Sequence, residues 1–155
     1  MSIQIGELIV PERILCGARV NSKKRALECL SELLTEAAEE QIGTASEVVF
    51  DALVSRERLG STGLGRGVAL PHARQGDIRA AVGAFVSLRE PIDFDAADRQ
   101  PVDLLFGLTV PEDATNDHLE ILATLAELLR TPEVCEQLRA AQSAEAVHKI
   151  LLGKP

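Results

Sequence analysis

The sequence contains no tryptophan and no tyrosine, and aromatic residues make up only 3% of its 155 residues. Proteins that bind single-stranded nucleic acids or sugars stack bases and rings on aromatic side chains, so this composition disfavours both functions. Basic charge is also scarce, because the net charge is -8 at pH 7 and no lysine-rich arm offsets it. Nucleic acid is therefore not an expected partner.

Cysteine is equally sparse. The three cysteines at positions 16, 29 and 135 are odd in number and far apart, and no CxxC or Cys/His metal spacing appears. We expect reduced, mostly buried thiols and neither a disulfide framework nor a metal site. No stretch approaches the roughly 20 apolar residues of a membrane span. The first residues, MSIQIGELIVPER, lack the features of a signal peptide, which predicts a cytoplasmic protein with no membrane insertion.

Hydrophobic residues nonetheless make up 46% of the chain, enough for one domain spanning residues 1–155 with a packed core. Several segments show helical apolar spacing after a residue that can cap or start a helix. The predicted helices are 22–41 with Ser22 as cap, 44–58 with a Thr44–Glu47 capping box, 116–130 with Thr115 as cap, one restarting at Pro132, and 143–152 with Ser143 as cap.

Four further segments have the apolar character of strands: 12–20, 68–70, 80–88 and 102–110. Helices flank this group of strands, which predicts the α/β class with a sheet covered on both faces. No helix separates 80–88 from 102–110, so the order departs from strict βαβ alternation. The expected architecture is a single domain with a mixed β-sheet between α-helices.

The segment GSTGLGRGVALPH, residues 60–72, holds four of the chain's 11 glycines within its first eight residues. Glycine allows backbone N–H groups to turn toward an anion. Between residues 54 and 79, five arginines against two acidic residues leave a local charge of +3. These features predict a phosphate-binding loop, although a glycine-rich surface turn would have the same composition. Neither the Walker pattern nor GxGxxG is present. The candidate phosphate ligands are Ser61, Thr62, Gly63, Gly65 and Gly67.

Two histidines are candidates for chemistry. His72 follows Pro71 at the end of the predicted strand 68–70, and a neutral imidazole can accept a phosphoryl group near pH 7. His118 is the third residue of the helix predicted after Thr115, on its apolar face. If strands 68–70 and 102–110 are parallel neighbours, their ends share one sheet edge and the two rings lie within a few ångströms. The alternative is that both histidines are structural; a third, His148, is expected at the solvated surface.

The segment 60–72 closely resembles the active-site signature of phosphotransferase-system IIA proteins of the fructose/mannitol type. SKKRALE (22–28), VVFDALVSRERLGSTG (48–63), FDAADRQPVDLLFGLTVP (94–111) and HLEIL (118–122) extend the resemblance to the nitrogen-regulatory branch. The resemblance implies the same mixed sheet between helices. It also implies three catalytic residues: His72 as the phosphorylated histidine, Arg56 as the active-site arginine and His118 as the second histidine. Ala73 and Arg66 depart from the common pattern.

The implied function is that of a regulatory phosphocarrier, a phosphotransferase component without small-molecule turnover of its own. Its donor would be a phosphohistidine carrier resembling HPr (NPr in the nitrogen branch). Its phosphorylation state would control regulatory protein partners, and no cofactor is implied. Two alternatives are a sugar-transport IIA subunit that passes phosphate to a IIB domain and a non-catalytic binding module. A metal-dependent hydrolase is disfavoured by the lack of ligand spacing.

Overall fold

A computed structural model describes residues 5–36, 45–75, 80–113 and 115–153. Within these ranges no helix combines the length and the apolarity needed to cross a bilayer. Two 3₁₀ turns, Ile5–Glu7 and Pro11–Arg13, precede the first strand. The α-helices of the described residues are α1 (Lys23–Glu36), α2 (Ser46–Glu57), α3 (Thr115–Leu129), α4 (Pro132–Ala140) and α5 (Ala144–Leu151). The strands are β1 (Ile14–Ala18), β2 (Gly63–Gly65), β3 (Val68–Ala69), β4 (His72–Gln75), β5 (Val82–Ile92) and β6 (Val102–Pro111).

The strands form one mixed sheet in the order β1-β5-β6-β3-β2, with β4 also paired to β6. Consecutive strands β5 and β6 are antiparallel, whereas β1 is parallel to β5 and both β3 and β4 are parallel to β6. The predicted mixed sheet is therefore confirmed.

Two apolar clusters cover the two faces of this sheet, one built with α1 and α2 and the other with α3, α4 and α5. Alternate residues of β6 divide between them, because successive side chains of a strand point to opposite faces. Leu105 packs in the first cluster, while Leu104, Phe106 and Leu108 pack in the second. The arrangement confirms that helices flank the sheet on both sides.

Most predicted helix starts are confirmed. Ser22 Oγ accepts the N–H of Arg25 at 3.2 Å, Pro132 is the first residue of α4, and Ser143 Oγ accepts the N–H of Ala146 at 3.1 Å. The predicted end of the first helix near residue 41 lies outside the described residues.

Two predicted N-caps are wrong by one residue. The N-cap of α2 is Ala45, which has no side-chain oxygen, so the Thr44–Glu47 capping box does not start this helix; Thr44 itself lies outside the described residues. The backbone carbonyl of Ala45 instead accepts the N–H of Val48 at 3.1 Å. Helix α3 begins at Thr115 itself, which makes His118 its fourth residue and not its third.

His72 does not lie beyond the end of a strand, as the sequence suggested, but begins β4. Pro71 has no N–H to donate to the sheet, so the pairing of β3 with β6 stops there. The carbonyl of Pro71 still accepts the N–H of Leu108 at 2.9 Å, and β4 resumes the parallel pairing with His72 opposite Leu108. A further short strand, β2, lies within the glycine-rich segment 60–72, where no strand before residue 68 was expected.

Candidate functional site

His72 and His118 lie side by side, with their ring centroids 5.8 Å apart and their planes inclined by 51°. Their approach follows from the sheet: β3, β4 and β6 run in the same direction, so β4 and the start of α3 reach the same end. The prediction that parallel pairing brings the two imidazoles together across 46 residues of sequence is confirmed.

The tautomer of His72 is fixed by a backbone carbonyl. Nδ1 of the ring lies 2.8 Å from the carbonyl oxygen of Leu70. A carbonyl oxygen only accepts hydrogen bonds, so Nδ1 carries the proton and Nε2 keeps a free lone pair. Burial lowers the pKa of His72 below its ordinary value, and the charge of Arg56 lowers it further, against opposing effects of the Leu70 bond and Glu57. The ring is therefore neutral and nucleophilic at neutral pH.

His118 is 5% exposed, and its Nδ1 is one of two buried side-chain polar atoms in the described part of the chain that lack a hydrogen-bond partner. An unpaired polar atom in a buried position costs free energy unless a ligand or water satisfies it. Burial lowers the pKa of His118, and the charges of Arg74 and His72 lower it further. Two neutral imidazoles thus face each other.

Arg56 completes the group, because the last turn of α2 carries it to the rim of the same depression. This open depression of about 390 Å³ is lined by Ala52, Ser55, Arg56, Leu59, His72, Ala73, Arg74 and His118. Nη1 of Arg56 donates to the carbonyl oxygen of Gly60 at 2.9 Å, which holds the guanidinium in place. A guanidinium has five N–H donors, so others remain for an anion in the depression. All three candidate catalytic residues are therefore together.

The glycine loop is not brought to this depression. Thr62 is buried, and its hydroxyl and N–H both donate to the carboxylate of Glu57. Ser61 Oγ accepts the N–H of Gly63 at 3.1 Å. None of the five candidate phosphate ligands, Ser61, Thr62, Gly63, Gly65 and Gly67, lines the depression.

The remaining glycines of the loop serve a tight turn between β2 and β3. Gly65, Arg66 and Gly67 have φ values of 94°, 55° and 85°, a left-handed run that favours glycine. The N–H of Arg66 donates to Asp98 Oδ2 at 3.0 Å, and its carbonyl accepts from Arg139 Nη2 at 2.8 Å. Gly65 and Gly67 therefore shape a hairpin turn, and the backbone groups of the turn are hydrogen-bonded to side chains of the protein.

Glu57 is the site residue that the sequence interpretation missed. It follows Arg56, is 8% exposed, and lies 3.5 Å from Lys23 Nζ. A signal was present, since Val49, Leu53 and Glu57 are the buried residues of α2 and recur every four positions. A carboxylate in a row of buried helix positions indicates a paired interior charge.

Other sequence expectations concern residues away from the depression. The three cysteines are free; Cys135 is buried, while Cys16 and Cys29 are partly buried. His148 is only partly exposed and not fully solvated as expected, and its Nε2 lies 3.2 Å from the carbonyl oxygen of Ile9. No group of three or more His, Cys, Asp or Glu side chains in the described ranges could hold a metal ion.

Comparison with known proteins agrees with the fold and with the geometry of the site. The family model described as phosphoenolpyruvate-dependent sugar phosphotransferase system, EIIA 2, matches residues 7–154. The nitrogen regulatory protein of Klebsiella oxytoca is 46% identical over 97% of this chain and 91% of its own length. That of Escherichia coli (strain K12) is 45% identical over 97% and 90%.

Two solved structures show the same architecture. The crystal structure of the nitrogen regulatory protein IIA-Ntr from Neisseria meningitidis aligns with a TM-score of 0.87 and 44% identity, covering 95% of this chain and 98% of that one. The IIA mannitol structure from E. coli aligns with a TM-score of 0.77 at 23% identity, over 92% and 98%, and so shares the fold. The architecture is that of the phosphotransferase IIA proteins. The chain belongs to the EIIA 2 family, among relatives named nitrogen regulatory proteins.

Proposed function

We propose that the chain, residues 1–155, is one regulatory phosphocarrier domain that accepts a phosphoryl group on Nε2 of His72. The observation that carries this proposal is the hydrogen bond from His72 Nδ1 to Leu70, at 2.8 Å, on a ring that lines an open depression. It leaves Nε2 as the nucleophilic nitrogen, with an arginine and a second imidazole beside it. The donor is a phosphohistidine protein resembling HPr.

Neither His72 nor His118 needs to gain or lose a proton during the transfer. The lone pair of His72 Nε2 forms the new P–N bond while the P–N bond of the donor breaks, and the donor nitrogen leaves with its electron pair. The transition state is loose, and its negative charge is spread over the equatorial oxygens. The guanidinium of Arg56 stabilises that charge, and His118 donates a hydrogen bond to a phosphoryl oxygen. His118 Nδ1 is the unpartnered buried atom that such an oxygen, or a water, would satisfy.

The regulatory part of the proposal rests on the relatives named nitrogen regulatory protein. A phosphoryl group transferred to a neutral His72 ring that keeps its Nδ1 proton adds about one net negative charge to the depression, and this charge lies on the phosphoryl oxygens. Leu59 on its rim is 83% exposed, so apolar contact area and the new charge lie next to each other. A partner protein that docks on this rim would distinguish the two states. The cytoplasmic location expected from the sequence stays a prediction.

A sugar-transport role is the second candidate. It is favoured by the PTS system fructose-specific EIIA component of Haloferax volcanii, which is 37% identical over 84% of this chain. In that role phospho-His72 would pass its phosphoryl group to a IIB domain. Adding a purified IIB domain to the phosphorylated protein separates the two: rapid loss of the phosphoryl group supports transport, and retention supports regulation.

The primary test is phosphorylation with purified components. The protein is mixed with phosphoenolpyruvate, enzyme I and the carrier, and intact mass is measured. We expect one added phosphoryl group on the wild-type protein and on His148→Gln, the control for a histidine outside the depression. His72→Ala should stay folded and gain none. Unchanged phosphorylation of His72→Ala would refute the assignment.

A further inference from the structure

Glu57 is a buried charged residue that the proposed transfer does not use directly. Its position is unfavourable on two counts. Burial of a carboxylate removes its hydration, and the C-terminal end of a helix carries a partial negative charge that repels it. Glu57 is the last residue of α2 and is 8% exposed. An apolar side chain would fill this position at less cost, so the carboxylate is expected to serve a specific contact.

That contact is with Thr62. The N–H of Thr62 donates to both carboxylate oxygens of Glu57, at 3.0 and 3.1 Å, and the hydroxyl of Thr62 donates to Oε1. Lys23 Nζ lies 3.5 Å from Oε2 and also sits over the ring of Phe94, 4.5 Å from its centroid. One cation therefore balances the charge of the carboxylate. Its three hydrogen bonds all come from Thr62 and hold the chain at that residue.

Thr62 is in turn bound to the residue that orients His72. The carbonyl of Thr62 accepts the N–H of Leu70 at 3.0 Å, next to the antiparallel pair Gly63 and Ala69. The carbonyl of the same Leu70 accepts the Nδ1 proton of His72 at 2.8 Å. An unbroken series of hydrogen bonds thus leads from the Glu57 carboxylate to the reactive imidazole.

We propose that Glu57 is a positioning residue for His72: through Thr62 and Leu70 it holds the carbonyl that keeps the proton on Nδ1 and leaves Nε2 free. This inference rests on the proposed function for its meaning in transfer, although its effect on the tautomer does not depend on it. Glu57 also acts through space, because its negative charge raises the pKa of His72 against the lowering effect of Arg56.

Two variants test the series, and a neighbouring residue supplies a control. Glu57→Gln removes the charge and half of its accepting capacity, while Thr62→Val removes only the hydroxyl and keeps the shape of the side chain. Ser61→Ala removes an adjacent hydroxyl that bonds to Gly63 and lies outside the series. The tautomer of His72 is read from ring-nitrogen NMR shifts of the unphosphorylated protein, and phosphoryl transfer from the phosphorylated carrier is timed separately.

We expect the wild type and Ser61→Ala to show one His72 tautomer, with the proton on Nδ1. Glu57→Gln and Thr62→Val should show a mixture of tautomers, and transfer should slow by about tenfold or more because a misplaced reacting group loses alignment. Thr62→Val keeps the test decisive if Glu57→Gln does not fold.

If the wild-type protein accepts a phosphoryl group, the inference requires that the variants show both a mixture of His72 tautomers and slower phosphoryl transfer. A slowed transfer with an unaltered tautomer, or the reverse, overturns it. A wild-type protein that accepts no phosphoryl group refutes the proposed function instead, and the NMR comparison then tests the series by itself.

Discussion

Because His72 and His118 are both neutral in the folded protein, we predict how the free energy of unfolding changes with pH. The pKa values of His72 and His118 are both lowered from the ordinary 6.5, in each case chiefly by burial. The unfolded chain therefore binds protons at a pH where the folded chain does not. The free energy of unfolding is therefore highest above the ordinary histidine pKa. It decreases as the pH falls from about 6.5 through the folded-state pKa values of the two histidines.

The slope of that loss follows from proton counting. One proton bound only by the unfolded state changes the free energy of unfolding by about 1.4 kcal/mol per pH unit. Two rings contribute at most about 2.7 kcal/mol per unit, and less where either is already protonated in the folded state.

Urea unfolding between about pH 7.5 and 5.5 measures this slope before most carboxylates titrate. We compare the wild type with the double variant His72→Gln/His118→Gln, using the slopes and not the absolute stabilities. The wild type should lose stability toward acid, and the double variant should lose markedly less. A double variant with the wild-type slope would show that the two rings titrate normally, and the argument for two neutral imidazoles would fail.

Three further variants test the site, the packing of the sheet and the turn between β2 and β3. Arg56→Ala should slow phosphoryl transfer by roughly 10²-fold, as loss of one transition-state donor does, while the exposed Arg58→Ala stays within about twofold in the same assay. Gly83→Ala should destabilise by about 1–3 kcal/mol in urea unfolding, because its Cβ would lie 2.8 Å from Phe106 Cε1. Arg66→Asn should gain up to about 1 kcal/mol, since asparagine tolerates the left-handed backbone at φ 55°; Arg58→Asn, at φ -66°, should gain nothing.

The meeting of the two histidines could be predicted from the sequence because the end of each strand is recognisable, once the two strands are assumed to be parallel neighbours. Each apolar run stops at a proline, Pro71 or Pro111, and each is followed by a candidate histidine. Parallel neighbours then place both at one edge of the sheet. The strand order itself was not predicted. That β4 continues the pairing beside β6 depends on the ten-residue length of β6, which leaves backbone groups free beyond Leu105.

The role of the glycine loop could not be predicted in the same way. The spacing of the glycines shows where the backbone can adopt left-handed conformations, but it does not show which groups the turn will bind. The groups that bind the turn are distant in sequence: Asp98 is 32 residues from Arg66, and Arg139 is 73 residues from it. A local pattern contains no information about such partners. The loop therefore had the composition of an anion-binding loop, whereas the N–H groups of Thr62 and Arg66 donate to carboxylates of the protein itself.

Arg56 and Glu57 show how one helix end serves both sides of the site. Neighbouring residues on an α-helix point about 100° apart. The end of α2 therefore directs the guanidinium to the depression and the carboxylate to the interior. Their charges act on His72 in opposite directions, Arg56 lowering its pKa and Glu57 raising it. Burial then decides the outcome, and the ring stays neutral. Under the proposed function, Arg56 then lies beside the phosphoryl group while Glu57 holds the tautomer, because the two side chains leave the helix on different sides.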